Sequence, residues 1–248
     1  MTLSAAVMHV PDVPIRRALL ADLLRGLGQQ EMRDRLAKFT IVRDTRRDGV
    51  WPTARRAWMS AGDAGVTHHM VIQDDATPCR DFLAGVHCLI EAAPASPICL
   101  FDMSKATKDA LAAGSNWVSR TSLSSALAIV MPVTMALDAI RWADAHVLPS
   151  LVHDDVRFSM YFQSQGIVVL GTAPSLVEHA GDESLVGNPR FLPGRKERRA
   201  AIFIGRNMSA LSIDWAQTVA SPTKGWSHSP SEYRQYLIKD GVDEAGAG

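Results

Sequence analysis

The residues best placed to do chemistry are Asp74 and Asp75, which close an apolar run in THHMVIQDDATPCRDF. A strand that stays apolar and then turns acidic delivers its carboxylates at its C-terminal end, where open α/β sheets bind their ligands. Two adjacent carboxylates can hold Mg²⁺ or Mn²⁺, hard cations that take oxygen ligands and bridge readily to a diphosphate. An ion held there would offset the charge building on a departing diphosphate. A solvated acidic pair that only caps the following helix has the same local pattern.

Three further groups could complete a site. In HDDVRFSMYFQSQG, Asp154 and Asp155 open a helix, and Asp155 is the candidate base that takes the proton of an attacking hydroxyl. Both acids also suit the positive N-terminal end of that helix without any catalytic role. In PSLVEHAGDESLVGNP, His179 stands at a strand end as a candidate metal ligand with Glu178 as its partner. Gly181 and Gly187 would let the loop after it close over a diphosphate, with Ser184 donating a hydrogen bond. Near the N-terminus, His9, Pro11 and Arg16 follow one strand, Asp44 follows the next, and Trp51, Arg55 and Arg56 come soon after. Together they suit a nucleotide's base, ribose and phosphate: Asp44 could accept from a uracil imide N–H, and Arg55 could meet phosphate with its forked donors. The same residues also read as core tryptophans beside a solvated basic face of Arg46, Arg47, Arg55 and Arg56.

The elements that must carry these residues alternate between strand and helix. Strands are expected at Ser4–Val10, Phe39–Val42, His69–Gln73, Pro97–Phe101, Ala126–Met131 and Ile167–Leu170. Helices are expected at Ile15–Leu27, ending at Gly28, and at Thr53–Ser60, Phe82–Ala92, Val133–Asp144 and Asp154–Ser164. Such alternation predicts an α/β fold with a mostly parallel sheet flanked by helices. Met131, Met135, Met160 and Phe158 read as core, and Trp117, in GSNWVS, as a loop aromatic for which burial is the commoner role and stacking on an acceptor the alternative.

Bulk properties exclude several classes. The 248 residues, 47% hydrophobic and 21% charged, suffice for one large domain. Residues 1–220 are expected to form it, with 221–248 as a C-terminal extension ending in a partly disordered tail. The formal net charge of +0 gives no overall attraction to nucleic acid or membrane. Three cysteines without a CxxC pair argue against a disulfide framework and for a reducing cytoplasm. No apolar run reaches the roughly 20 residues of a membrane span. Neither GxxxxGK[ST] nor GxGxxG occurs, so the common nucleotide-binding loops are absent.

In order and spacing, these groups resemble the GT-A glycosyltransferases, over roughly Ala5 to Asn188. The resemblance implies a GT-A-like (Rossmann-like) fold, a nucleotide-sugar donor (a UDP-sugar by family habit) and Mn²⁺ or Mg²⁺. By it, Gln73-Asp74-Asp75 stands for the family's DxD element, Asp154-Asp155 for its acidic pair and His179 for its terminal metal ligand. PSLVEHAGDES also resembles a stretch of some N-acetylglucosaminyltransferases. The first motif reads QDD, so either Asp75 alone holds the metal or a first oxygen comes from Gln73 or Asp74; the second reads DD where the family has ED. THHMVIQDDATPC and PSLVEH further resemble small phage and bacterial glycosyltransferases of modified DNA bases, which implies a hydroxymethylated pyrimidine in DNA as acceptor. Arg190, Arg195, Lys196, Arg198 and Arg199 would then form a local phosphate-binding patch. A metal-dependent nucleotidyl or phosphoryl transferase would want a similar residue set, and a non-catalytic nucleotide-binding module would use the acids as caps.

Overall fold

The computed structural model describes residues 1–46, 48–62, 65–180, 198–225 and 234–238. Its centre is built from the most apolar strands: β1 (Leu3–His9), buried throughout, and β3 (His68–Gln73), buried to its last residue but one. Along both, side chains alternate between two cores, as the two-residue period of a strand requires. Ala5, Val7, Met70 and Ile72 face one core; Ala6, Met8 and Val71 face the other. Each fully buried large aliphatic side chain contributes about 1.5–3 kcal/mol.

Helices cover both faces. On the first lie α1 (Pro14–Leu27) and α4 (Phe82–Ala92), which supply Leu23, Leu27, Phe82, Leu83 and Val86. Proline at its first position favours α1, and Gly28, at φ +71°, ends it before the polar α2 (Gln29–Arg35). On the second face lie α3 (Val50–Met59), α6 (Val133–His146) and α7 (Asp154–Gln165), whose Trp58, Ile140, Phe158 and Phe162 interlock.

The remaining strands are β2 (Lys38–Arg43), β4 (Ala76–Pro78), β5 (Ile98–Cys99), β6 (Trp117–Arg120), β7 (Ala128–Pro132), β8 (Val169–Thr172), β9 (Val177–His179) and β10 (Thr223–Lys224). The helices α5 (Lys105–Ala112) and α8 (Trp215–Thr218) complete the set. Eight strands form one sheet in the order β10-β6-β8-β5-β7-β3-β1-β2. Four of its neighbour pairs are parallel (β1/β2, β1/β3, β5/β8, β6/β10) and three antiparallel (β3/β7, β5/β7, β6/β8). The expected mostly parallel α/β sheet flanked by helices is therefore present, with β7 antiparallel to both its neighbours and β6 antiparallel to β8. Beyond residue 220 the chain still contributes to the body: β10 joins the sheet edge, and Leu148 N–H donates to the Tyr236 carbonyl at 2.8 Å.

Trp117 takes the commoner, packing role, in a strand where a loop was expected. It is the first residue of β6 and fully buried, its ring edge-on to Trp215 and its Nε1–H donating to the Trp215 carbonyl at 2.8 Å, so it has no free face for an acceptor. Met131, Met160 and Phe158 are buried as expected. Among the described residues, no helix is long and apolar enough to cross a membrane.

Candidate functional site

The parallel pairing of β1 with β3, in a register that sets Met8 against Gln73, brings the end of one strand beside the acids that follow the other. Asp74 is 2% exposed and fully engaged. His9 Nδ1–H donates to its Oδ2 at 2.7 Å, Val10 N–H to the same oxygen at 3.2 Å, and Arg16 Nη1 to Oδ1 at 2.7 Å. Arg16 reaches this point because the turn through Pro11 folds the first turn of α1 back over the strand ends. Its Nη1 also lies 2.5 Å from Asp75 Oδ2, so one guanidinium bridges both carboxylates. Burial works against the charge on Arg16, but Asp75 and Asp74 outweigh it and raise the pKa.

A two-stranded ribbon delivers the histidine. Antiparallel β4 and β9 pair Ala76 with His179, and Ala180 N–H donates to the Asp75 carbonyl at 2.7 Å. His179 Nε2 therefore lies 3.2 Å from Asp75 Oδ2. Burial pushes the Asp75 carboxyl up, yet its hydrogen bond and charge contact with His179 and the charge of Arg16 hold it below the usual range. Glu178 fixes the ribbon, accepting from His179 N–H at 2.9 Å and from Ala200 N–H at 2.8 Å. Arg199 Nη1 donates to the His179 carbonyl at 2.5 Å.

Two atoms in this cluster are buried with no hydrogen-bond partner: Asp75 Oδ1 and His179 Nδ1. A buried, unsatisfied oxygen or nitrogen costs about 1–3 kcal/mol, so each invites a ligand. One carboxylate oxygen and one imidazole nitrogen suit Mn²⁺ or Mg²⁺, provided that phosphate and water fill the other positions. These ligand types fit a divalent ion shared with a diphosphate, once the imidazole turns from the contact that its Nε2 makes with Asp75 Oδ2. No cluster of three metal-ligating side chains occurs among the described residues.

Asp154 and Asp155 open α7 as expected. Asp154 is 5% exposed, and burial first, then the charge of Asp155, raises its pKa. Asp155 is half-buried. Hydrogen bonds tie the first turns of this helix to the segment that leads into β7. Ser159 Oγ donates to the Asp155 carbonyl at 2.6 Å, and Leu123 N–H donates to Ser159 Oγ at 2.9 Å. Further along that segment, Gln73 donates to the carbonyls of Leu127 and Ala126 at 2.8 and 3.1 Å.

The nucleotide-binding candidates divide. His9, Arg16 and the Pro11 turn gather on Asp74. Asp44 N–H donates to the His9 carbonyl at 2.8 Å, while its carboxylate accepts from Asp48 and Gly49 N–H at 2.9 and 3.3 Å, closing the loop before α3. Trp51 and Arg55 are engaged elsewhere. Trp51 is 9% exposed, edge-on to Phe158, with the Arg157 Cζ 4.7 Å from its ring centre, and so packs as core. Arg55 pairs with Asp144 at 2.8 Å. Ser184, Gly181, Gly187, Arg190, Arg195, Lys196 and Arg47 lie outside the described residues.

One polar cluster escaped the sequence reading. Asp102, fully buried after β5, pairs with Arg120 and accepts from Ser104 N–H at 2.7 Å, and its own N–H donates to Ser175 Oγ at 3.0 Å. It carries the same signal as Asp74, an acid directly after an apolar run (PICLFD). Its bonds hold α5 and the segment after β9 together, since Ala201 N–H donates to the Asp102 carbonyl at 2.8 Å.

No protein-family model matches the chain, and no curated protein matches it significantly. Solved structures that match include the crystal structure of S. aureus TarS 1–349, with 11% sequence identity and a TM-score of 0.47. The same protein in complex with UDP matches with 11% identity and a TM-score of 0.46. Each match covers 71% of this chain, which spans 59% of the length of those structures.

Proposed function

We propose that this chain is a glycosyltransferase that moves a sugar from a nucleotide diphosphate donor, a UDP-sugar, to an acceptor hydroxyl. The observation that carries this reading is that Asp75 and His179, which meet through Oδ2 and Nε2 at 3.2 Å, each keep a buried atom without a partner, Asp75 Oδ1 and His179 Nδ1. The motif resemblance supports it independently of the geometry. Asp75 and His179 would hold Mn²⁺ or Mg²⁺, which when bound offsets the negative charge of the departing diphosphate. Asp74, already fixed by His9 and Val10, orients Arg16, whose guanidinium can exchange a carboxylate for a donor phosphate oxygen. Asp44 and Ser184 are assigned to the nucleoside and the diphosphate.

Asp155 accepts the proton as the acceptor oxygen bonds to the anomeric carbon and the bond from that carbon to the diphosphate oxygen breaks. Burial and the charge of Asp155 raise the pKa of Asp154 and so favour its neutral form beside that base. The acceptor is assigned as a hydroxymethylated pyrimidine in DNA, and the three cysteines, all free, suit a cytoplasmic protein.

The test is UDP release from UDP-glucose or UDP-N-acetylglucosamine with Mn²⁺, on hydroxymethylated and ordinary DNA. Asp155→Asn should lower turnover about 10²–10⁴-fold and leave UDP affinity unchanged. Turnover within twofold of wild type would remove Asp155 from its role. A second reading, a non-catalytic nucleotide binder in which Arg16 is the resident cation, is favoured by the Arg16 bridge itself; it requires UDP binding that is indifferent to metal.

A further inference from the structure

Between α1 and the chain that follows β4 runs a groove of about 460 Å³, and it does not contain the carboxylate pair. Asp22, Arg25, Gly26, Pro78, Arg80 and Arg206 are among the residues lining it. Its base is rigid. Gly26 packs so closely on Pro78 that a Cβ there would lie 2.7 Å from the proline ring, and the Cys79 thiol below is pushed up to about 12 by burial, which makes it unreactive.

Its rim is cationic. The side chains of Arg25, Arg80 and Arg206 are 71%, 64% and 53% exposed. Arg25 and Arg206 share one carboxylate, Asp22; burial raises the pKa of that acid, but the two arginines outweigh it and hold it below the usual range. Arg80 Nε pairs with Asp81 at 3.5 Å, and the same carboxylate also accepts from Ser209. Three guanidiniums thus stand against two carboxylates, Asp22 in the lining and Asp81 beside it, in a chain whose formal net charge is +0. The arrangement is braced, since Arg80 N–H donates to the Met208 carbonyl at 3.1 Å and Ala210 N–H to the Arg80 carbonyl at 2.9 Å. Four residues separate Asp75 from Arg80, so the two are at most ~17 Å apart along an extended chain.

We propose that this groove binds the phosphodiester backbone of the acceptor strand and so holds the strand beside the donor site. Forked arginine donors match phosphate oxygens, and a fixed row of them orients a strand without reading its sequence. The identity of the strand as the acceptor rests on the glycosyl-transfer reading; phosphate binding in the groove does not.

The test is fluorescence anisotropy with a labelled single-stranded 15-mer of thymidine, across a salt series, on the full chain. The triple variant Arg25→Gln/Arg80→Gln/Arg206→Gln should bind at least tenfold more weakly in about 0.1 M salt. With three fewer phosphate contacts, the slope of log affinity against log salt should fall by about 2. The charge-matched triple Arg33→Gln/Arg35→Gln/Arg141→Gln should bind like wild type, and inorganic tripolyphosphate should displace the oligonucleotide from wild type. Equal affinity in the groove variant, equal loss in both triples, or no displacement by tripolyphosphate would overturn the proposal. Calorimetry with UDP and Mn²⁺ on both triples reports the fold and the donor site separately, so failure of UDP binding in wild type would count against the donor-site reading alone.

Discussion

His69 sits in the strand that carries Asp74 and Asp75, and it ties the stability of that strand to pH. Its side chain is buried, with Nε2–H donating to the Ala57 carbonyl at 3.0 Å and Nδ1 accepting from Ser4 Oγ at 2.7 Å, while Trp58 lies edge-on to the ring. Both nitrogens are satisfied in the neutral form, and burial pushes the pKa from 6.5 down to about 4. A depressed histidine pKa means that the unfolded chain takes up the proton first. Stability is therefore intact above pH ~6.5 and is lost as the pH falls from there to about 4, below which this group adds no further loss. The full shift corresponds to roughly 3.4 kcal/mol, of which about 2.5 kcal/mol falls between pH 7.5 and 4.5. The perturbation is His69→Gln, which keeps a donor for Ala57 and an acceptor for Ser4 but cannot titrate. Urea unfolding of both proteins at the two pH values isolates the group, because His68, whose pKa burial also lowers, is common to both. Wild type should lose about 2.5 kcal/mol more than the variant over that interval. Equal losses would refute the reasoning.

Two further predictions concern the frame of the site. Arg16→Met strands the Asp74 and Asp75 carboxylates without their shared cation, and breaking a buried pair from one side costs about 3–5 kcal/mol; a loss below about 1 kcal/mol in urea unfolding would mean that the bridge is not formed in solution. Gly85→Ala should gain up to ~1 kcal/mol of helix propensity, but its Cβ would lie 2.3 Å from that of Ala210, a clash of about 1–3 kcal/mol. The net change expected in thermal unfolding is a loss, and a stabilised variant would contradict the packing of α4 on Ala210–Ser212.

Much of this was legible in the sequence, for physical reasons that differ by element. β3 stood out because an apolar strand that ends in two acids is recognisable locally, and α4 because its apolar residues recur at helical spacing up to Ala92. β6 did not, since four residues behind the turn-like Gly114-Ser115-Asn116 look like loop, and Trp117 was misplaced with it. α5, with KATKDALA, has no broad apolar stripe to announce it. The β4/β9 ribbon depends on pairing Ala76 with His179, a long-range contact that no local pattern encodes. The same limit hid Arg16: its type and place suited a phosphate, but its bridge between Asp74 and Asp75 follows from the path of α1 over the sheet. Trp51 and Arg55 could be read as ligand or packing residues until Phe158 and Asp144 were seen to engage them.

The central claim is that Asp75 and His179 hold a divalent ion shared with a nucleotide diphosphate. It is tested most directly by calorimetric titration of the full chain with UDP, with and without Mn²⁺, and again with Asp75→Ala. Wild-type binding that strengthens at least tenfold with Mn²⁺, and a variant that has lost this enhancement, is the predicted result. UDP affinity that is the same with and without the metal, or an enhancement that survives in Asp75→Ala, would contradict it.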